Sequence, residues 1–134
     1  MITHPRATPE IKGWLQSLLQ DNTIVRVPEV ADYEVRRELL RAGRTKGVER
    51  LDALAEAIGL LPLTTAAMRR AAAFWAQARR TGHPTADDRA LDADVILAAQ
   101  AVVLAEQGDD PVIATTNVGH LARFATAMRW EDIR

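Results

Sequence analysis

The order of apolar and polar positions along the chain predicts five long helices and one short helix. In each long stretch apolar residues recur every three or four positions, which is the spacing of one face of an α-helix. Pro9 suits the first turn of the first helix, because its missing N–H would have no partner there. The predicted helices are 9–20, 29–42, a third around 48–58, 65–80, 93–107 and a short one from 117 to about 124.

Short runs between these helices predict short strands at 23–27 and 59–63, a buried strand at 112–115 and a last edge strand at 128–130. Strands that alternate with helices are typical of parallel βα units. No repeat, low-complexity segment or linker divides the chain, and its length suits one core. The pattern therefore predicts a single α/β domain over residues 1–134 with a mostly parallel sheet flanked by helices.

Composition narrows the classes of function. The 134 residues include no Cys, which excludes a disulfide framework, a thiolate zinc site and cysteine catalysis. The net charge of −1 does not indicate a nucleic-acid partner, so RNA binding would need a local basic patch. No apolar run approaches the roughly 20 residues that span a bilayer, and the amino terminus lacks a signal-peptide core. We expect a cytoplasmic protein without a membrane partner.

Acidic and amide side chains lie where the predicted strands end and helices begin. Glu34 is in the second helix, Asp92 and Asp94 open the 93–107 helix, and Asn117 follows the 112–115 strand. Parallel sheets collect their sites at this edge. Oxygen ligands suit Mg²⁺, and a metal-bound water can attack a phosphodiester. These residues are therefore candidates for a metal site.

Each of these residues also has a purely structural interpretation. Asp92 can be an N-cap, and Asp94 in a first turn complements the helix dipole. Glu34 can pair with Arg37 on an exposed face, and Asn117 can cap the helix after it. Spacing does not show whether the four side chains converge, so both interpretations remain open.

Three segments together resemble PIN-domain ribonucleases, close to the VapC-type toxins of bacterial toxin–antitoxin pairs. In the first segment a strand ends in Pro and an acid follows on the next helix. The second is an acid followed by an Ala-rich apolar helix, and the third is a late strand followed by Thr and Asn. They are VPEVADYEV at 27–35, LDADVILAAQA at 91–101 and VIATTNVGHL at 112–121. The resemblance implies a three-layer PIN-like fold.

The resemblance also implies roles for particular residues. Glu34 and Asp94 match the middle metal-binding acids of the family, and Asp92 is an additional acid beside them. Asn117 stands where the family often has Asp. The implied activity is a Mg²⁺- or Mn²⁺-dependent endoribonuclease acting on RNA. The implied assembly is a homodimer, with an antitoxin protein that blocks the site.

The beginning of the chain departs from the family pattern. The family opens with an apolar strand that lies in the middle of the sheet and ends in a metal-binding Asp. Here Pro5 and Pro9 lead directly into the first predicted helix. We expect either a start that lies further upstream or a natural variant without this central strand.

Arginines and threonines near the acids are candidate contacts for RNA phosphates, although the arginines can equally form a solvated face. A catalytically degenerate module that binds a nucleic acid or a partner is the alternative function. A serine hydrolase is disfavoured, because the only Ser is Ser17 inside the first predicted helix. The candidate contacts are Arg36, Arg37, Arg41, Thr115 and Thr116.

Overall fold

The computed structural model describes residues 9–81, 88–115 and 118–133, and helices form most of this part of the chain. A 3₁₀ helix at Trp130–Asp132 follows the last strand. The described elements are α1 (Pro9–Gln20), β1 (Val27–Pro28), α2 (Glu29–Arg41), α3 (Thr45–Ile58), β2 (Leu60–Leu61), α4 (Thr65–Arg80), α5 (Asp88–Glu106), β3 (Ile113–Thr115), α6 (Val118–Leu121) and β4 (Ala127–Arg129).

The predicted helices α1 to α4 are confirmed. Local sequence explains where α4 begins and where α2 ends. Thr64 caps α4, because its Oγ1 accepts a hydrogen bond from the N–H of Ala67 at 3.1 Å. Gly43 follows α2 with a φ of 68°, a left-handed conformation that glycine adopts without strain. None of the described helices is both long enough and apolar enough to cross a membrane.

Several predicted boundaries are wrong, among them those of α5 and β1. Helix α5 begins at Asp88, so Asp92 lies inside the helix and does not cap it. Residues 88–92 contain no Gly or Pro to stop the helix from extending back. The predicted 23–27 strand is reduced to Val27–Pro28. The side chain of Ile24 is 77% exposed, so the apolar run before β1 does not pack into a sheet.

The four described strands form two separate parallel pairs. Strand β1 pairs with β2, with Val27 opposite Leu60. Strand β3 pairs with β4, with Ile113 opposite Ala127. The α/β class and the parallel pairing are therefore confirmed. Among the described residues the two pairs do not join into one sheet, and the three-layer PIN-like arrangement stays a prediction.

Helix α5 forms the centre of the core and packs along α4. Small residues at the contact allow the two helices to approach closely, and Phe74 of α4 stacks on Phe124 with ring centroids 5.0 Å apart. Helix α5 also covers β3 through Ala98 and Ala101. The buried residues between α4 and α5 are Ala71, Ala78, Val95 and Ala99.

Candidate functional site

The start of α2 is held against the segment that follows β2. Pro28 is the last residue of β1 and the N-cap of α2, with extended dihedral angles of φ −62° and ψ 138°. Glu29 Oε1 accepts a hydrogen bond from the N–H of Leu63 at 3.0 Å. These contacts hold the first turn of α2 in place, and they therefore also position Glu34, which lies more than one turn further along the same helix.

Glu34 and Asp94 lie close enough for their charges to interact. Burial raises the pKa of the half-buried Glu34 carboxyl above its ordinary value. The guanidinium of Arg37 opposes this shift, and the negative charge of Asp94 raises the pKa further. The two acids come from α2 and α5, which pack against each other. The structure thus brings together the two acids that the resemblance singled out.

Of the other predicted site residues, the structure shows that Asp92 does not join this pair. Asp92 is exposed and precedes Asp94 by two positions, a spacing that places side chains on different faces of a helix. Thr115 is half-buried at the end of β3. Thr116 and Asn117 lie outside the described residues. Within the described ranges, no group of three His, Asp or Glu side chains could hold a metal ion.

The donor set that remains is two carboxylates. Mg²⁺ is commonly bound through one or two carboxylates, with water and substrate phosphate in the remaining positions, so Glu34 and Asp94 fit such an ion. Two nearby anions that disfavour each other's ionised form are stabilised when a cation lies between them. A divalent cation would therefore lower the raised pKa of Glu34.

Arg36 of α2 pairs with Asp32 on its own helix and with Asp52 on α3. Its Nε lies 3.0 Å from Asp32 Oδ2 and its Nη2 lies 3.1 Å from Asp32 Oδ1. The same Nη2 is 2.7 Å from Asp52 Oδ1. Hydrogen bonds to the two carboxylates raise the pKa of Arg36 above its ordinary value. The four-residue spacing of Asp32 and Arg36, which places them on one face of a helix, is the sequence signal for that pair.

The two other arginines predicted to contact RNA have different surroundings. Arg37 Nη2 lies 4.0 Å from Glu34 Oε2, and its guanidinium lies 5.2 Å from the ring centroid of Tyr33. Arg41 forms a 2.8 Å ion pair with Glu38 on an exposed face. Arg37 is therefore the arginine on α2 that lies directly beside the acidic pair.

Comparisons of the chain with protein-family models, with curated proteins and with solved structures found no match. What the residues offer chemically is an acidic pair with one guanidinium beside it. Such a pair can hold a hard divalent cation, and the guanidinium can contact an anionic substrate such as a phosphate.

Proposed function

We propose that the protein is a Mg²⁺- or Mn²⁺-dependent endoribonuclease with a PIN-like fold, and that it is the toxin of a toxin–antitoxin pair. The observation that supports this most is the interaction of Glu34 with Asp94, which come from different helices. The proposal also draws on the resemblance of the three sequence segments. Its RNA substrate, antitoxin partner and homodimer come from that resemblance.

Glu34 and Asp94 would hold the cation in this proposal. A bound divalent cation supplies an acidified water and neutralises charge as a phosphodiester is hydrolysed. Arg37, beside Glu34, would bind a phosphate of the RNA and orient the backbone. Asp92, Thr115, Thr116 and Asn117 remain predicted contributors.

RNA cleavage in the presence of Mn²⁺ tests the proposed activity. We expect the protein to cut RNA, EDTA to stop the reaction, and Asp94→Asn to abolish it. Glu38→Gln is the matched control, because Glu38 is on the same helix as Glu34 but pairs with Arg41 on an exposed face. Undiminished cleavage by the Asp94→Asn protein, or cleavage in EDTA, would contradict the proposal.

The second candidate function is a non-catalytic module of the same fold that binds RNA or a protein partner. It is favoured by the lack, within the described residues, of a third acidic or histidine ligand. Mn²⁺ separates the two functions. A module predicts RNA or partner binding without cleavage and a melting temperature that Mn²⁺ does not change, whereas the nuclease predicts that Mn²⁺ stabilises the protein.

A further inference from the structure

The outward side of α4 combines exposed apolar side chains with arginines. Met68 is 45% exposed and Trp75 is 37% exposed, and their spacing of two helical turns places them on one side of the helix. The opposite side carries the buried alanines that pack on α5. An apolar patch with a polar rim is typical of a binding surface. We call this surface the α4 face, and its exposed residues are Met68, Arg69, Ala72, Trp75, Arg79 and Arg80.

Arg79 orients the indole ring of Trp75. Its guanidinium lies 5.0 Å from the centroid of the ring, which is the distance of a cation–π contact. The contact restricts the rotation of an otherwise exposed side chain, so less conformational entropy is lost when a ligand binds to the ring. A flat ring that is held in place at the surface suits stacking on another flat group.

The charge of α4 is uniformly positive. The helix contains four arginines and no acidic residue. Arg70 pairs with Glu106 of α5, whereas Arg69 and Arg80 are exposed on one side of α4 and are separated by roughly 17 Å along its axis. On α2, by contrast, each of the three arginines lies beside a carboxylate. The positive charge of α4 is therefore less neutralised than that of α2.

This charge determines which partner fits the α4 face. In a symmetric dimer a second copy would present the same face and place arginine opposite arginine, which disfavours the contact. An anionic partner is complementary in charge. A single-stranded nucleic acid offers phosphates to the arginines and also bases that stack on an aromatic ring. An acidic peptide offers only the charge, so the combination of Trp75 with the arginines favours the nucleic acid.

The α4 face is also placed correctly relative to the acidic pair. Arg70, near the start of α4, pairs with Glu106 at the end of α5, so the two packed helices run antiparallel. The end of α4, which carries Arg79 and Arg80, therefore lies at the same end of this helix pair as Asp94 in the second turn of α5. A strand of RNA that lies along α4 would extend toward the acidic pair.

We infer that the α4 face binds an unpaired stretch of RNA. Trp75 stacks on one base, and Arg69 and Arg80 contact phosphates on either side of it. The bases of a duplex are stacked on each other and are not accessible to the ring, so the α4 face selects single strands. This inference rests on RNA being the substrate, as proposed above, and adds the surface that selects its unpaired form.

Fluorescence anisotropy with a labelled single-stranded RNA of about 12 nucleotides tests the inference on the whole chain, in EDTA so that metal-dependent cleavage is stopped. Trp75→Leu should weaken binding about 10-fold, as expected for the loss of one base–aromatic stack, and Trp75→Phe, which keeps a ring, should retain most of the affinity. Arg69→Gln should make the slope of log affinity against log salt shallower by about 0.7. Arg129→Gln is the matched control, because Arg129 is exposed and pairs with Glu131, and it should bind as the unmodified chain does.

Tryptophan fluorescence gives a second readout at the ring itself. Unlabelled single-stranded RNA should quench the emission of the unmodified chain, because a stacked base contacts Trp75. The Trp75→Phe protein keeps Trp14 and Trp130, which pack on each other with ring centroids 5.7 Å apart, and its emission should not be quenched. Circular dichroism of each variant checks that the helices are retained.

Four results would overturn the inference. They are an absence of RNA binding, undiminished affinity in Trp75→Leu, equal affinity for a duplex of the same sequence, and polyglutamate that displaces the RNA and causes the same quenching, which would identify an acidic protein as the partner. A dimeric mass that Met68→Arg converts to a monomeric one would likewise overturn it, by identifying a second copy on the α4 face. Binding through Trp75 without cleavage in Mn²⁺ contradicts only the proposed activity, whereas cleavage with unchanged affinity in Trp75→Leu contradicts only this inference.

Discussion

Replacing Arg36 with Met should strongly lower the free energy of unfolding. Arg36 lies on α2, the helix that also carries Glu34. Arg36 makes two hydrogen bonds to Asp32 and one to Asp52. The Asp32 side chain is only 12% exposed, so Met leaves a nearly buried carboxylate without its cation. The Asp52 side chain is 60% exposed, so water can hydrate its carboxylate when Arg36 is removed.

The magnitude follows from these exposures. Breaking a fully buried ion pair by removing one partner costs about 3–5 kcal/mol. The Arg36 side chain is 31% exposed, so water can partly replace it, and about 2–3 kcal/mol is expected for the loss at Asp32. The exposed contact with Asp52 adds about 0.5 kcal/mol. The sum, about 3 kcal/mol, is a large part of the roughly 5–15 kcal/mol by which a domain of this size is stable.

Urea unfolding followed by circular dichroism measures this free energy. Arg41→Met is the matched control, because Arg41 pairs with Glu38 on an exposed face, and it should cost less than about 1 kcal/mol. Adding Asp32→Leu to Arg36→Met removes the stranded carboxylate and should restore part of the stability. Equal, small losses in the two arginine variants would refute the reasoning.

Three further changes have expected outcomes of their own. In EDTA, Glu34→Gln should stabilise the protein at neutral pH. Because the pKa of Glu34 is raised in the folded protein, ionisation of Glu34 lowers the free energy of unfolding as pH rises through that folded pKa. The stabilisation by Gln should therefore vanish below the ordinary pKa of 4.5. Urea unfolding of both proteins, from neutral pH to below pH 4.5, measures this difference. Thr64→Ala removes the cap on Ala67 and should cost about 1 kcal/mol, whereas Thr64→Ser should keep most of that stability. Phe74→Leu loses the stack on Phe124 and should lower the free energy of unfolding by about 1–2 kcal/mol, measured by thermal melting.

Helices were predictable from the sequence because their signals are local. The cap at Thr64 and the glycine after α2 are short-range features that the fold retains. Strand β1 was overestimated because its apolar run from residue 23 to 27 matches a strand, but strand formation needs a neighbour. Val27 has Leu60 as its neighbour, while Ile24 faces solvent.

The acidic site was predictable in part. The family resemblance selected Glu34 and Asp94, and the fold places their charges close together. Asp92 stood equally near in sequence, but the backward extension of α5 gives it a different face of the helix from Asp94. Arg36 was a candidate contact for the substrate, and the structure shows it bonded to Asp32 and Asp52. The four-residue spacing on one helix indicates the first of these pairs, but sequence spacing does not show the tertiary pair with Asp52 on α3.

Manganese binding tests the Glu34–Asp94 centre most directly. The melting temperature of the 134-residue protein would be recorded with increasing Mn²⁺ for the unmodified chain, Asp94→Asn and Glu38→Gln. Binding at about 100 times the dissociation constant adds roughly 2.7 kcal/mol to the folded state, so the unmodified chain and Glu38→Gln should melt at clearly higher temperature. Asp94→Asn should show no rise. The same rise in all three proteins, or no rise in any of them, would contradict a cation site at Glu34 and Asp94.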